Sequence, residues 1–538
     1  MKRTFIYVAA VLISAVMQAQ DLDPTVEVSR VYEGKLIEVR KPVMEMAIPD
    51  TLYRFDLDFD YSVFDNPYRG SYEFNPYMLD MRPESNLRNP SAFYLNAGAG
   101  YTLHPVLDVL WSPALKGPFG VDLYGTHRSY VGRYRAVGGN SEFEGYDLLT
   151  KMGTDFGYDW KKAALDFGAS YYGVAVKDLS KTRSYNALDA YLSLKSKKLW
   201  PENFMYKIDM AYRYAGDKAL LSEHGFSLDG TFGPRLSNGS KIFFDLGVEL
   251  DSYSGMLDAV MTRFYLVPHY VYSKGCLNLN LGFRLSAAMA SDGFGKNQII
   301  YPDIKMDVAV VPEAMRMYLG IGGGEKLNSY ASLVDRNHHL DISYAMGSPL
   351  ALMSPGIERV SAMFGFEGRI SGFFSYNLRG GYVNNSYAPL DAAVKESDGR
   401  YMPYIGYSPY HKAYAALDWD LSLQSVKFDG TVEYTYAWGF DASYLVRPAA
   451  LTADAQFVYN WRKRIFAGAD CRFSTNRANA EGFEMPMYAD LGVYAEYVFV
   501  RNMSLWLRGG NLLNMEIQRD LMYAEKGVNV TAGISLTF

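Results

Sequence analysis

The sequence predicts an all-β fold, a transmembrane antiparallel β-barrel of about 22 strands with short periplasmic turns and long extracellular loops. Three observations lead there. Apolar and polar residues alternate up to the last position, tight turns recur at a regular spacing, and tyrosine is unusually abundant.

The stretch 528–538 places Val528, Val530, Ala532, Ile534, Leu536 and Phe538 on one strand face and Asn529, Thr531, Ser535 and Thr537 on the other. The pattern repeats. Ile242, Phe244, Leu246, Val248 and Leu250 interleave with Lys241, Asp245, Glu249 and Asp251. Leu277, Leu279, Leu281, Phe283 and Leu285 interleave with Asn278, Asn280 and Arg284. Ala413, Ala415, Leu417, Trp419 and Leu421 alternate with Tyr414, Asp418 and Asp420, and similar runs cover 451–461 and 490–499. Charge stays on one face. A barrel with lipid outside and water inside needs that segregation, because a Lys or Arg facing mid-bilayer lipid costs about 2–4 kcal/mol.

Tight turns are expected at Lys116-Gly117, Trp160-Lys161-Lys162, Pro201-Glu202, Asn238-Gly239, Lys274-Gly275, Pro312-Glu313, Glu367-Gly368, Gln424-Ser425, Arg462-Lys463 and Arg501-Asn502. Most successive turns lie about 35–45 residues apart, room for two strands and a longer loop. Ten turns with an opening and a closing strand give about 22 strands. The longer connections are expected at 135–144, 291–298, 384–410 and 475–484, all rich in Gly, Asn, Asp or Ser. Short strands are expected near 94–103 and 106–111, and 322–356 fits no simple strand pattern. Trp160, Trp200 and Trp461 sit beside Lys or Arg at short turns, as an aromatic girdle on the periplasmic rim would.

Composition agrees. Mean hydropathy is -0.13, as expected when only alternate residues meet lipid. Aromatics make up 15% of the 538 residues and tyrosine alone supplies 45 of them, a residue suited to a membrane–water boundary. After residue 19 no run of about eighteen apolar residues occurs, so a helical membrane protein is excluded. The net charge of -6, without a basic block, argues against a nucleic-acid partner. Cys276 and Cys471 are expected to be free thiols.

Three segments follow. Residues 1–19 read as a secretory signal, with Lys2 and Arg3 ahead of a short apolar run and Ala19 as the last residue before cleavage. Residues 20–90, holding seven prolines, read as a periplasmic or lumen-filling segment. Within it Asp56, Asp58 and Asp60 share a strand face, which reads as a solvated acidic face ahead of a Ca²⁺ site. Residues 91–538 are the barrel.

Chemistry-bearing motifs are scarce. The seven histidines are scattered, and His338 and His339 in a strand would face opposite sides and share no metal. Gly322-Gly323-Gly324-Glu325-Lys326 lacks the spacing and the Ser/Thr of a phosphate loop and reads as a flexible loop. His127 with Ser129 is the nearest approach to a hydrolase pair. No catalytic, cofactor-binding or metal site, no enzyme activity and no cofactor are expected.

At Trp506-Leu507-Arg508-Gly509-Gly510-Asn511-Leu512-Leu513-Asn514, followed by a last strand ending in Phe538, the chain resembles the barrel of a TonB-dependent receptor. Asn511, Leu512, Leu513 and Asn514 match the family's short signature ahead of the final strand. The resemblance covers about residues 90–538. It implies a 22-stranded barrel in the outer membrane of a Gram-negative bacterium, reached after secretion through the inner membrane. It further implies a terminal Phe538 that serves as the signal for the barrel-assembly machinery, contact with outer-membrane lipid, and uptake or passage of a ligand. Other outer-membrane or surface proteins are further candidate partners. Only about 70 residues lie between the signal and the barrel, fewer than the family's plug domain, so a non-transporting scaffold or accessory subunit of an outer-membrane complex is the alternative.

Overall fold

The computed structural model describes residues 92–538, apart from 102, 138–140, 180, 198–203, 219–220, 235, 237–239, 292–299 and 313. Expectations for 1–19 and 20–90, the carboxylates Asp56, Asp58 and Asp60, Trp200, the turns at Pro201-Glu202 and Asn238-Gly239, Glu313 of the Pro312-Glu313 turn, and all but the first residue of the connection 291–298 lie outside the described residues.

Twenty-two strands form one antiparallel sheet that closes on itself. Each strand pairs with its chain neighbours. The first, Phe93–Gly100, also pairs with the last, Asn529–Thr537, in the register Tyr94↔Thr537 to Gly100↔Thr531. Phe93 and Phe538 exchange both backbone hydrogen bonds at 2.9 Å. Closure leaves no sheet edge, which a spanning sheet requires because lipid cannot satisfy a bare N–H or C=O.

Alternation sets the two faces. Phe244, Leu246, Leu281, Phe283, Phe457, Tyr459, Tyr497 and Ile534 all point outward and are each at least 40% exposed. An apolar belt of that extent belongs against lipid. Inward residues pair across strands instead. Arg213 meets Asp189 at 2.5 Å, Lys195 meets Asp166 at 2.7 Å, Lys412 meets Glu433 at 2.9 Å, and Arg379 contacts Asp418.

The seam has its own packing requirement. Trp506 lies across the inner face of the last two strands and the first. A Cβ added at Gly98 or at Gly533 would come within 2.4 Å of its ring. At Gly533 it would also meet the Ala97 carbonyl oxygen at 2.3 Å. Only glycine admits this approach of ring to backbone.

Most expected turns are present. Arg462 and Lys463 take φ of 52° and 57°, the hand that suits a right-twisted hairpin, and Arg464 N–H donates to the Trp461 carbonyl at 3.0 Å. Trp160 and Trp461 both sit at this short-turn end, and Trp461 is 48% exposed.

Three expectations are corrected. The strand Gly356–Ile370 runs through Glu367-Gly368, and its turn falls at Ser371 and Gly372 with φ of 52° and 75°. Residues 384–410 are no loop. They form the upper part of a tall hairpin of two 22-residue strands, Phe374–Lys395 and Tyr401–Ser422, whose register shifts between Asn385 and Ala388. That shift breaks the period of two, which is why the alternation fades there. The Gly-rich run 322–326 ends the strand Met315–Lys326, and Glu325 is buried with Ser286 and Tyr301 each donating to its carboxylate at 3.1 Å.

The seam makes a direct prediction. Gly533→Val should abolish or strongly reduce the heat-modifiable folded barrel band on cold electrophoresis. Overpacking costs about 1–3 kcal/mol before backbone clash is counted. Ile534→Ala, on the lipid side, should leave the band intact.

Candidate functional site

Residues 327–355, at the long-loop end, fold inward instead of outward. Helix α1 (Tyr330–Arg336) begins at Ser329, whose side chain accepts from the Ser332 N–H at 3.2 Å. Its apolar spacing buries Tyr330, Ala331, Leu333 and Val334. They pack against wall residues Tyr185, Ala187, Ala215, Leu221, Tyr253 and Met261. Complete burial of a Leu or Val side chain contributes about 1.5–3 kcal/mol, so this cluster holds the segment firmly.

Polar contacts fix its register. Ala331 N–H donates to the Glu223 carboxylate at 3.0 Å. Tyr330 donates from its hydroxyl to Asp217 at 2.7 Å and from its N–H to the Tyr253 hydroxyl at 3.2 Å. Helix α2 (Pro349–Leu352) starts after Ser348 with proline in its first turn, a position where the missing N–H costs nothing. Leu352 and Met353 are fully buried, and the Tyr407 hydroxyl donates to the Leu352 carbonyl at 2.8 Å.

Beside this segment lies a cavity of about 1180 Å³. Its wall includes Tyr130, Tyr134, Phe143, Asp147 and Lys177 from strands, Asp335, His338 and His339 from the in-folded segment, and Arg519, Asp520, Tyr523, Glu525 and Lys526 from the loop 511–528. Tyr523 joins the parts. It stacks on His339 with centroids 3.9 Å apart and planes 8° apart, it meets the Tyr344 hydroxyl at 2.9 Å, and Arg183 sits over its ring at 5.5 Å. Arg183 in turn donates to Asp178 at 2.7 Å and to Asp341 at 3.0 Å.

The signature residues stand at the root of the capping loop. Asn511 takes φ of 47°, a left-handed conformation asparagine tolerates. Its amide donates to the carbonyls of Met515 at 3.0 Å and Lys526 at 3.3 Å, and its side-chain oxygen accepts from Met515 N–H at 3.1 Å. Asn511 therefore clips both ends of the loop together. Asn514 accepts from Arg135 at 3.3 Å. Leu512 and Leu513 are 37% and 51% exposed.

Loop electrostatics are uneven. Burial, aided by the Arg183 charge, pushes His339 down to about 3. Burial and nearby Lys526 push His104 down to about 4. Burial, with Asp391 adding to it, lifts Asp520 to about 7. Both imidazoles are neutral at pH 7.

The histidines sort differently from expectation. His338 and His339 lie in the in-folded segment, not in a strand, and both line the cavity. Among the described residues no group of His, Cys, Asp and Glu is arranged to hold a metal ion. His127 and Ser129 do meet, at 3.2 Å, and His127 contacts Thr150 at 2.8 Å. They share the outer face with Leu123, Ser129 is buried, and its N–H is bonded to the Pro105 carbonyl. That N–H is therefore not available to an oxyanion. Sequence reasoning missed the whole cavity floor. Ser329 ahead of Tyr330, Leu333 and Val334, and Ser348-Pro349, were the available signals.

Two predictions follow from these contacts. Asn511→Ala should increase hydrogen exchange across 512–526, at a cost of about 1–3 kcal/mol for the buried groups it strands, while Leu513→Ala should not. For pH, His339 takes up a proton more readily when the segment opens, so protection of 327–355 falls as pH drops from about 6.5 toward 3. His339→Phe should flatten that slope. Asp520 works oppositely: its folded value is raised, so its contribution is complete below about 4 and is lost as pH rises through about 7.

No family model matches the chain, and no curated protein sequence matches it. Solved structures do. The copper transporter OprC superposes with a TM-score of 0.61 at 13% identity, covering 83% of this chain and 80% of its own. The siderophore receptor PirA from Acinetobacter baumannii gives 0.60 at 10% identity over 83% and 80%. FpvA of P. aeruginosa, solved with pyoverdines, gives 0.60 at 9% identity over 83% and 71%. In fold, the chain is a closed 22-stranded barrel similar to the barrels of TonB-dependent receptors.

Proposed function

We propose that this chain is an outer-membrane barrel that takes up a small ligand from the outside through its long-loop end. The observation that carries this reading is the cavity of about 1180 Å³, walled jointly by barrel strands, the in-folded segment and the loop 511–528. Its volume lies just above the range of about 300–1,000 Å³ usual for small-molecule sites, and it lies on elements of three kinds that a ligand can draw together. The kinship in fold with a copper transporter and siderophore receptors supports the same direction. In this reading Asn511 shapes the capping loop, Phe538 is the assembly signal, and the apolar belt meets outer-membrane lipid.

A second reading has a specific observation in its favour. The in-folded segment is as well packed as a protein core, with Leu333, Val334, Leu352 and Met353 each 2% exposed or less. Such packing suits a permanently sealed scaffold or accessory subunit that docks other outer-membrane proteins. Planar-bilayer conductance separates the two. Passage predicts steady ion current once residues 20–90 and 329–353 are both removed, in protein that retains its heat-modifiable barrel band. Silence in the full chain, in each single deletion and in the double deletion contradicts passage and supports the scaffold.

A further inference from the structure

The cavity holds more cationic than anionic side chains. Nine Lys and Arg line it, six of them in ion pairs (Arg128, Lys181, Arg183, Arg336, Arg400 and Arg519) with Arg135, Lys177 and Lys526 the exceptions among the described residues, against five Asp and Glu. Three of those carboxylates are already engaged: Asp178 by Arg183 at 2.7 Å, Glu525 by Arg519 at 2.6 Å, and Asp335 by Lys151 at 3.9 Å. Lys526 is differently placed. Its ammonium meets the neutral imidazole of His104 at 3.1 Å, not a carboxylate, and lies 5.5 Å from the centroid of the Tyr130 ring. Asp147 and Glu525 supply the negative field around it. Lys177 lines the same cavity and is exposed.

The aromatic wall is next to that ammonium. His104 and Tyr130 meet edge to face at 5.5 Å, Tyr130 and Tyr134 at 5.3 Å, and Tyr134 stacks on Phe143 at 5.8 Å. A flat apolar ring finds faces and edges there, while its anionic substituent reaches ammonium groups in a partly desolvated place where charge–charge attraction exceeds that in water.

We propose that this cavity binds a small organic anion, a carboxylate or phosphate carried on a planar ring, with Lys526 as its principal counter-charge and the Tyr130–Tyr134 wall as its seat. The proposal rests on reading the cavity as a ligand site. It does not depend on passage through the barrel, because equilibrium binding and conductance are separate measurements.

The test uses the full chain in detergent micelles, titrated calorimetrically with benzoate, phenyl phosphate, benzyl alcohol and benzylammonium. Both anions should bind, and their ratio tells whether carboxylate or phosphate is preferred. Benzyl alcohol should bind at least tenfold more weakly and benzylammonium not at all. Anion affinity should fall with added salt. Lys526→Met should weaken anion binding at least tenfold and Lys526→Arg should largely retain it. Lys177→Gln, at an exposed position, should weaken it about threefold, the scale of a single solvated charge. Equal binding of all four probes, no binding by either anion, or full anion affinity in Lys526→Met would overturn the proposal. Silent conductance with anion binding intact would remove passage alone.

Discussion

The structure depends on one constraint: inside lipid, every backbone N–H and C=O must find its partner within the protein. The pairing of Phe93–Gly100 with Asn529–Thr537 meets it, by joining the two ends of a sheet that would otherwise expose a full row of donors and acceptors. The seam explains local choices that alternation does not. Gly98 and Gly533 carry no side chain because Trp506 covers them, and Ser535 donates to Asn96 at 3.1 Å on the wet side of the same joint. Outside, Ile534 and Phe538 are 43% and 58% exposed, as lipid-facing groups should be.

Closure creates a second problem, a wide wet lumen. The strands answer it in part with cross-strand charge pairs, and the upper lumen is answered by chain. Residues 327–355 descend against the wall, and the loop 511–528 lies beside them. Arg183, Tyr523 and His339 form the joint between wall, loop and in-folded segment. A ligand in the cavity would touch the pieces that joint connects, so binding and the order of the in-folded segment are energetically linked.

The barrel was legible in the sequence because each strand repeats the same demand, one face in lipid and one in water. Runs such as Leu277 to Leu285 and Val528 to Phe538 state it without ambiguity. Legibility failed wherever that demand lapses. The upper parts of Phe374–Lys395 and Tyr401–Ser422 lose the period at a register shift and read as a loop. Glu325 follows three glycines and reads as mobile, although it is a buried acceptor in a strand. The in-folded segment was the largest omission. Its short helices bury only a few residues each, and nothing local tells Leu333 or Met353 that a barrel wall stands opposite. For the same reason the cavity could not be read, since its parts lie as far apart in sequence as His104 and Lys526.

The closing seam is the most direct point of attack. Asn96 and Ser535 face each other across it, at an inward position between the hydrogen-bonded pairs, where cross-strand Cα atoms approach closely enough for a disulfide. In a chain with Cys276 and Cys471 replaced by alanine, Asn96→Cys combined with Ser535→Cys should form an intramolecular disulfide in intact outer membranes. Efficient cross-linking of the neighbouring pair Ser504→Cys with Ser535→Cys, without any cross-link between positions 96 and 535, would contradict a closed barrel.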